Sequence, residues 1–96
     1  MEKTAKHIKA VEADAGVFST VEVVTQENGT DFSLQELQGF VGGLIDIIGL
    51  PDGLIMVVND EYLCNDTPFN PLASLMAGEG AHVRGDVLVC PDEMVK

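Results

Sequence analysis

Two cysteines and two histidines are the first side chains of this chain to consider as a nucleophile and its general base. Cys64 and His82 would form such a pair only if the fold brought them within hydrogen-bond distance of each other. Nothing in their spacing predicts that approach, and the chain has no HExxH, CxxC or paired-carboxylate spacing. Asp60-Glu61 is interpreted as a solvated turn. The sequence therefore predicts a protein that is not an enzyme, with no catalytic residue, no metal site and no cofactor.

The cysteines also bear on location. Cys64 and Cys90 are too few for a disulfide scaffold, and we expect both to be free, buried thiols, although their separation leaves a bridge open. Residues 1–9 are rich in lysine and lead directly into a strand pattern, with no apolar leader. These features favour the cytoplasm of a bacterial or archaeal host.

The charge of the chain is strongly and unevenly acidic. Five Lys and Arg stand against sixteen Asp and Glu, the net charge is -11 at pH 7, and residues 10–83 contain no Lys or Arg. Such a field repels nucleic-acid phosphates and anionic lipid and attracts basic partners. We therefore expect no direct nucleic-acid binding and no membrane binding. The acidity itself has two interpretations: it serves solubility or reflects the host's general composition, or it forms a surface that binds a basic groove.

Turn signals divide the chain into strands. A hairpin is predicted for residues 7–13 and 17–24, because the second segment is rich in β-branched residues and 14–16 form a turn signal. Residues 43–58 are apolar, but Asp46 and the Pro51-Asp52-Gly53 turn cut them into runs far shorter than the roughly 20 residues of a membrane-spanning helix. They are predicted to be two buried strands paired as a hairpin at the centre of the sheet. A last strand is predicted for residues 83–90.

Two short helices are predicted between these strands. Ser33 and Glu36 form a capping box at the start of the first helix, and Gly42-Gly43 ends it. Asn70 is the predicted N-cap of the second helix, with Pro71 in the first helical position. The order β-β-α-β-β-α-β predicts a single α+β domain over residues 1–96. It would have one mixed or antiparallel sheet with the two short helices packed on a face of it.

Four short motifs follow one another in the middle of the chain: Leu37-Gln38-Gly39-Phe40-Val41-Gly42-Gly43, Leu50-Pro51-Asp52-Gly53, Asn59-Asp60-Glu61 and Asn70-Pro71. Together they resemble a family of small domains of unknown function that is common in phages, plasmids and integrative elements. The similarity covers about residues 34–89. It implies that the protein resides on a mobile element, and it implies no reaction.

Two departures from that family pattern concern ligand binding. Leu72 stands where related domains often have Arg after the Asn-Pro, and residues 62–68 replace a Gly-Leu-Pro. If that Arg held an anionic ligand, the contact is lost here. Arg84, in an Arg84-Gly85-Asp86 stretch predicted to lie in the last strand, is expected to pair with a carboxylate; the alternative is that it binds an anion.

Two functions are consistent with these features, and an acidic anti-defence inhibitor is preferred. In this hypothesis surface carboxylates imitate phosphates and occupy the basic nucleic-acid groove of a host restriction or CRISPR effector. The candidate residues follow or flank the 43–58 hairpin and are expected to share one end of the sheet. They are Asp46, Asp52, Asp60, Glu61 and Asp66.

The alternative is a homo-oligomer that binds and sequesters a nucleotide-derived immune signal in pockets between protomers. Its candidate polar contacts are Arg84, Asn59, Asn65, Thr67 and Asn70. Three of these, Asn59, Thr67 and Asn70, are equally typical of caps and turns. An accessory domain with no role in defence is a third interpretation.

Overall fold

A computed structural model of the protein describes residues 4–26, 29, 31–60, 67–78 and 80–95. Within these residues five strands form one antiparallel sheet, and two helices follow the second and fourth strands. The elements are β1 (Ala5–Ala13), β2 (Gly16–Val24), α1 (Leu34–Val41), β3 (Ile45–Gly49), β4 (Leu54–Asn59), α2 (Pro71–Ala77) and β5 (Val87–Pro91). Single 3₁₀ turns, Pro51–Gly53 and Asp92–Met94, follow β3 and β5. The predicted α+β class and the predicted order of elements are confirmed.

The strand order is β2-β1-β5-β4-β3, so the middle strand is the last one in the chain. β5 pairs with β1 on one side, His7 facing Leu88, and with β4 on the other. β3 is an edge strand, and its Ile47 is 47% exposed. The prediction that the 43–58 hairpin forms the centre of the sheet is therefore wrong. Pairing between β1 and β5 joins the two ends of the sequence, and no local pattern encodes it.

The helices cover opposite faces of the sheet. Side chains alternate between faces along a strand, so successive residues of β4 and β5 enter different cores. On the α1 face the buried residues are Ala5, Phe32, Leu37, Val41, Val57, Leu88 and Cys90. On the α2 face they are Ile8, Met56, Val58, Ala73, Val83, Val87 and Val89. The sheet is thus covered on two faces instead of one, which explains why β4 and β5 read as continuous apolar runs.

Local capping explains where the helices begin and end. The Glu36 N–H donates to Ser33 Oγ at 3.1 Å, and the Ser33 N–H donates to Glu36 Oε1 at 2.9 Å, which confirms the capping box. Gly42 ends α1 with φ 79°, a left-handed conformation that glycine adopts without steric cost. The predicted N-cap of α2 is also confirmed, since the Ala73 N–H donates to Asn70 Oδ1.

The last strand begins later than predicted, at Val87. Residues 83–85 pair instead with residues 68–70: the Asn70 N–H donates to the Val83 carbonyl, and the Gly85 N–H donates to the Pro68 carbonyl, both at 2.8 Å. Gly85 is buried and has φ 81°, which breaks the extended conformation before β5. Arg84-Gly85-Asp86 therefore lies in a bend beside β5 and not within the strand.

Candidate functional site

The carboxylates predicted to bind a partner do not all share one end of the sheet. Asp46 faces Val58 across the β3–β4 pair, and the Asp60 N–H donates to the Leu44 carbonyl at 2.9 Å. Asp46 and Asp60 therefore occupy diagonal positions about 7–8 Å apart at one end of this hairpin. Asp52 lies in the 3₁₀ turn at the opposite end, so the prediction is wrong for Asp52. Glu61 and Asp66 lie outside the described residues.

Three further carboxylates belong to the end that holds Asp46 and Asp60. β5 runs antiparallel to β1 and to β4, so the start of β5 lies beside the ends of both strands. This is the end of the sheet that holds Asp60. Glu12 is near the end of β1, Asp14 is in the β1–β2 turn, and Asp86 immediately precedes β5. We call these five residues the acidic end: Glu12, Asp14, Asp46, Asp60 and Asp86. They come from four neighbouring strands, and all except the half-buried Asp86 are exposed.

The acidic end is held by strand geometry and by local hydrogen bonds. Asp86 Oδ1 accepts the Ala10 N–H at 3.1 Å, which ties the β1–β2 hairpin to the start of β5. Asp46 Oδ1 accepts the Ile47 N–H at 2.8 Å. Adjacent strands lie about 4.8 Å apart, so the row from β1 to β3 extends over roughly 14 Å. Each DNA strand carries one phosphate per about 3.4 Å of helix axis, so a basic groove built for phosphates would meet several of these carboxylates at once.

Arg84 lies near the same end, and its position is set by the 68–70 pairing. Its Nη1 donates to the Thr67 carbonyl at 3.1 Å, a bond to the backbone instead of the predicted carboxylate. A Cβ at Gly85 would lie 2.9 Å from Thr67 Oγ1, so only glycine allows Thr67 to approach this closely. Phe69 packs against the exposed His82 ring in a tilted arrangement, with centroids 4.6 Å apart. Arg84 and Thr67 are therefore brought together by packing within the chain.

The asparagines of the proposed ligand site lie on opposite faces of the sheet. Asn59 is on the α1 face, where its Nδ2 donates to the Val41 carbonyl at the end of α1, at 3.3 Å. Asn70 is fully buried on the α2 face. Because the sheet separates them, Asn59 and Asn70 do not line a common pocket within one protomer. Asn65 lies outside the described residues.

Asn70 uses its whole side-chain amide inside the protein. Its Nδ2 donates to the Ile8 and Gly85 carbonyls, and its Oδ1 accepts from Ser19 Oγ and the Ala73 N–H. The amide thereby joins β1, β2, the bend before β5 and the first turn of α2. Sequence patterns identified only the bond to α2, since the other three partners are distant in the chain. A ligand would reach this amide only after these bonds were broken.

A close contact between Gly43 and Asn59 gives a stability prediction. A Cβ at residue 43 would lie 2.9 Å from Asn59 Nδ2 and would displace that amide from the Val41 carbonyl. We expect Gly43→Ala to lower the free energy of unfolding by about 1 kcal/mol. Urea denaturation of wild type, Gly43→Ala, Asn59→Ala and the double variant tests whether the clash with Asn59 causes this loss. The loss of unfolding free energy caused by Gly43→Ala should be smaller when the Asn59 amide is absent.

The control for that double-mutant cycle is Gly39, another glycine of the same motif. A Cβ at Gly39, within α1, would meet nothing within 4 Å, so Gly39→Ala should stabilise the protein through helix propensity by about 0.5–1 kcal/mol. An unchanged cost of Gly43→Ala in the Asn59→Ala background would show that the asparagine contact is not its cause.

Two further reactive side chains in the described part of the chain, His7 and Cys90, are hydrogen-bonded or buried. His7 is nearly buried; its Nε2 lies 2.9 Å from the Phe40 carbonyl, to which it donates, and its ring packs against Phe40. Cys90 is free and buried, as predicted, and burial, with a smaller effect of Asp92, raises the pKa of its thiol to about 11. Cys90 is therefore protonated at neutral pH and a poor nucleophile. Cys64 lies outside the described residues, so the Cys64–His82 pairing is not placed.

The described residues contain neither a cluster of metal-ligating side chains nor a membrane-spanning helix. No group of three or more His, Cys, Asp or Glu side chains in that part of the chain is arranged to hold a metal ion. No helix there is long and apolar enough to cross a membrane.

An open groove lies on the α1 face, away from the acidic end. It has a volume of about 530 Å³ and runs between the C-terminal end of β2 and α1. Its lining residues are Val23, Val24, Thr25, Glu36, Gly39 and Phe40. Sequence reasoning missed this groove; the available signal was Gly39, which leaves the helix surface without a side chain.

The geometry defines a small α+β domain with a helix on each face of a five-stranded antiparallel sheet and exposed carboxylates at one end of that sheet. The family model described as Domain of unknown function (DUF3846) matches residues 8–94, and the chain belongs to this family. No curated protein and no solved structure matches the chain.

Proposed function

We propose that the protein is a non-enzymatic binding protein whose acidic end docks in the basic nucleic-acid groove of a host enzyme. It acts in the host cytoplasm as an anti-defence inhibitor carried by a phage-type mobile element, and the enzyme is a restriction or CRISPR effector. One observation carries the proposal: four neighbouring strands bring Glu12, Asp14, Asp46, Asp60 and Asp86 to the same end of the sheet.

Two physical features of that end favour nucleic-acid mimicry. The carboxylates are attached at or next to the ends of strands, so their spacing is set before binding and little ordering entropy is lost on docking. The net charge of -11 also steers the protein towards a basic surface over long range.

The sequestering alternative receives less support from the geometry. Of its five candidate residues, Asn70 is buried with its amide fully used, Asn59 is on the other face, and Arg84 bonds to the Thr67 carbonyl. A nucleotide pocket between protomers would therefore rely on Arg84 and Thr67 at the surface. The acidic end needs no such rearrangement.

Two double variants with the same net charge as each other test the proposal. Asp46→Lys with Asp60→Lys reverses charge at the acidic end, whereas Asp52→Lys with Asp92→Lys reverses two exposed carboxylates at the opposite end. Each is assayed against a panel of purified restriction endonucleases and CRISPR nucleases, by DNA cleavage and by mobility shift of the nuclease–DNA complex. The assays are repeated from about 50 mM to about 200 mM salt.

We expect the wild-type protein to inhibit DNA binding by a panel member and to lose affinity as salt rises. The acidic-end variant should bind about 10–100-fold more weakly with a shallower salt dependence, while the opposite-end variant stays within about threefold of wild type. Equal effects of the two variants would show that only net charge matters. Inhibition that persists in the acidic-end variant would place the contact elsewhere.

A further inference from the structure

β2 is an outer strand of the sheet, and its free edge has backbone groups available for pairing. It pairs with β1 in one continuous register that closes at the two-residue turn between Ala13 and Gly16. That tight turn makes Ala13 and Gly16 a hydrogen-bonded pair, and such pairs alternate along an antiparallel ladder. The N–H and C=O groups of Val17, Ser19, Val21 and Val23 therefore point away from β1. In the part of the chain that the structure describes, no strand lies beyond them.

This edge lacks the features that usually prevent strand pairing. β2 has no Lys or Pro, its register shows no bulge, and Glu22 is its only charged residue. Val17, Phe18, Val21 and Val23 are 37%, 47%, 50% and 62% exposed. The other edge strand, β3, has only five residues and presents an exposed Asp46. Long, apolar edge strands tend to pair with a further strand, so β2 is suited to such pairing and β3 is not.

We propose that β2 pairs antiparallel with β2 of a second copy, about a two-fold axis at Val21, so that the two sheets form one continuous sheet. An antiparallel strand pair has this two-fold symmetry, which is the commonest symmetry of soluble oligomers. Charge repulsion and side-chain packing decide which residue lies on the two-fold axis. An axis at Glu22 would set the two Glu22 side chains against each other, whereas an axis at Val21 sets Glu22 opposite Thr20 and Phe18 opposite Val24.

The Val21 register also fills the open groove. Phe18 and Val24 face the α1 side of the sheet, since Val24 packs against the α1 core and side chains alternate along β2. Phe18 of one copy then lies beside the groove of the other copy, where Val24, Gly39 and Phe40 form the lining. A groove of about 530 Å³ is large enough for a phenyl ring, and the absence of a side chain at Gly39 leaves it accessible. One contact thus accounts for both the exposed Phe18 and the groove.

The charges of the chain permit this pairing despite its net acidity. Antiparallel strands run in opposite directions, so the acidic ends of the two copies are directed away from each other. Lys9 lies next to Thr20 on the α1 face, and Thr20 faces Glu22 of the second copy. The Lys9 ammonium of one copy and the Glu22 carboxylate of the other therefore lie in the same row across the strands, where their opposite charges attract. β2 is only about 30 Å long, so the interface is small for a specific protein–protein contact. We therefore expect the dimer to dissociate into monomers on dilution.

A matched pair of exposed substitutions tests the proposed dimer. Sedimentation velocity is run from about 1 µM to about 1 mM on wild type, Val21→Lys and Ile47→Lys. Val21 and Ile47 are 50% and 47% exposed, but they lie on opposite edges of the sheet. We expect wild type and Ile47→Lys to dimerise alike, and Val21→Lys to dissociate at least about 100-fold more readily. Circular dichroism confirms that each variant is folded.

Disulfide trapping tests the register. Directly opposed residues of a hydrogen-bonded pair have Cα atoms about 5.5 Å apart, within the range of a disulfide. Val21→Cys, in a Cys64→Ser background, should therefore form a covalent dimer on mild oxidation, while Ile47→Cys in the same background should not. A wild-type protein that stays monomeric throughout, equal effects at the two edges, or equal trapping by the two cysteine variants would each overturn the proposal. These changes leave the acidic end intact, so failure here is distinguishable from failure of the proposed function.

Discussion

Replacement of Asn70 by alanine is expected to lower the free energy of unfolding by about 3–5 kcal/mol. The amide is fully buried; its Nδ2 donates to the Ile8 carbonyl at 3.1 Å and to the Gly85 carbonyl at 2.8 Å. Its Oδ1 accepts from Ser19 Oγ at 2.6 Å and from the Ala73 N–H at 3.2 Å. Alanine leaves two carbonyls and one N–H of the interior without this partner, and each such group costs about 1–3 kcal/mol.

Urea denaturation measures this loss, with Asn59→Ala as the matched control. Asn59 is half-buried, and its amide donates at 3.3 Å to the Val41 carbonyl. Because water reaches a half-buried site and replaces part of what is lost, its removal should cost about 1 kcal/mol. Asn70→Asp keeps the size of the side chain and an acceptor but loses both donor hydrogens; it should therefore also be strongly destabilising. Similar losses for Asn70→Ala and Asn59→Ala would contradict the role assigned to the Asn70 amide.

Phe32→Ala is the second substitution with a large expected effect, a loss of about 3–5 kcal/mol. Phe32 is fully buried in the α1-face core, and its ring meets Phe40 edge to face with centroids 5.7 Å apart. The Phe32 N–H also donates to the Met94 carbonyl at 2.7 Å, which connects the start of α1 to the C-terminal turn. Removal of the ring leaves a cavity beneath α1, because the surrounding strands cannot collapse into it completely.

Phe18→Ala is the control for this prediction, because it removes the same atoms from a side chain that is 47% exposed. At protein concentrations low enough for the proposed dimer to dissociate, its cost should stay below about 1 kcal/mol. Thermal or urea unfolding of the two variants gives the comparison. Equal losses would show that the Phe32 ring is not packed as described.

Short-range patterns predicted the local structure of this protein correctly. The Ser33–Glu36 capping box, the Asn70 N-cap and the glycines that end α1 each depend on residues within a few positions of one another. Such interactions are available as soon as a single turn forms, so residue types and spacing are sufficient to identify them. The sequence also predicted the β1–β2 and β3–β4 hairpins, whose turns lie between their strands.

Predictions of which side chains come together were less successful. Asp52 was grouped with Asp46, although the β3–β4 turn places it at the far end of the hairpin. Arg84 was expected to contact a carboxylate, and the paired 67–70 segment supplies the Thr67 carbonyl instead. The acidic end could not be assembled from the sequence, because its members come from strands that are not consecutive. The groove lies between β2 and α1, and its shape depends on how these two elements pack against each other.

The sequence by itself determined the class of fold, the order of elements, the helix caps and the excess of negative charge. These properties depend on composition, on periodicity and on contacts within one or two turns of chain. The tertiary structure decided which strands became edges, which faces received the helices, and which carboxylates came together. Those outcomes follow from β5 inserting between β1 and β4, a pairing stabilised by the apolar surface that the whole sheet buries on both faces. No segment of the chain contains that information alone.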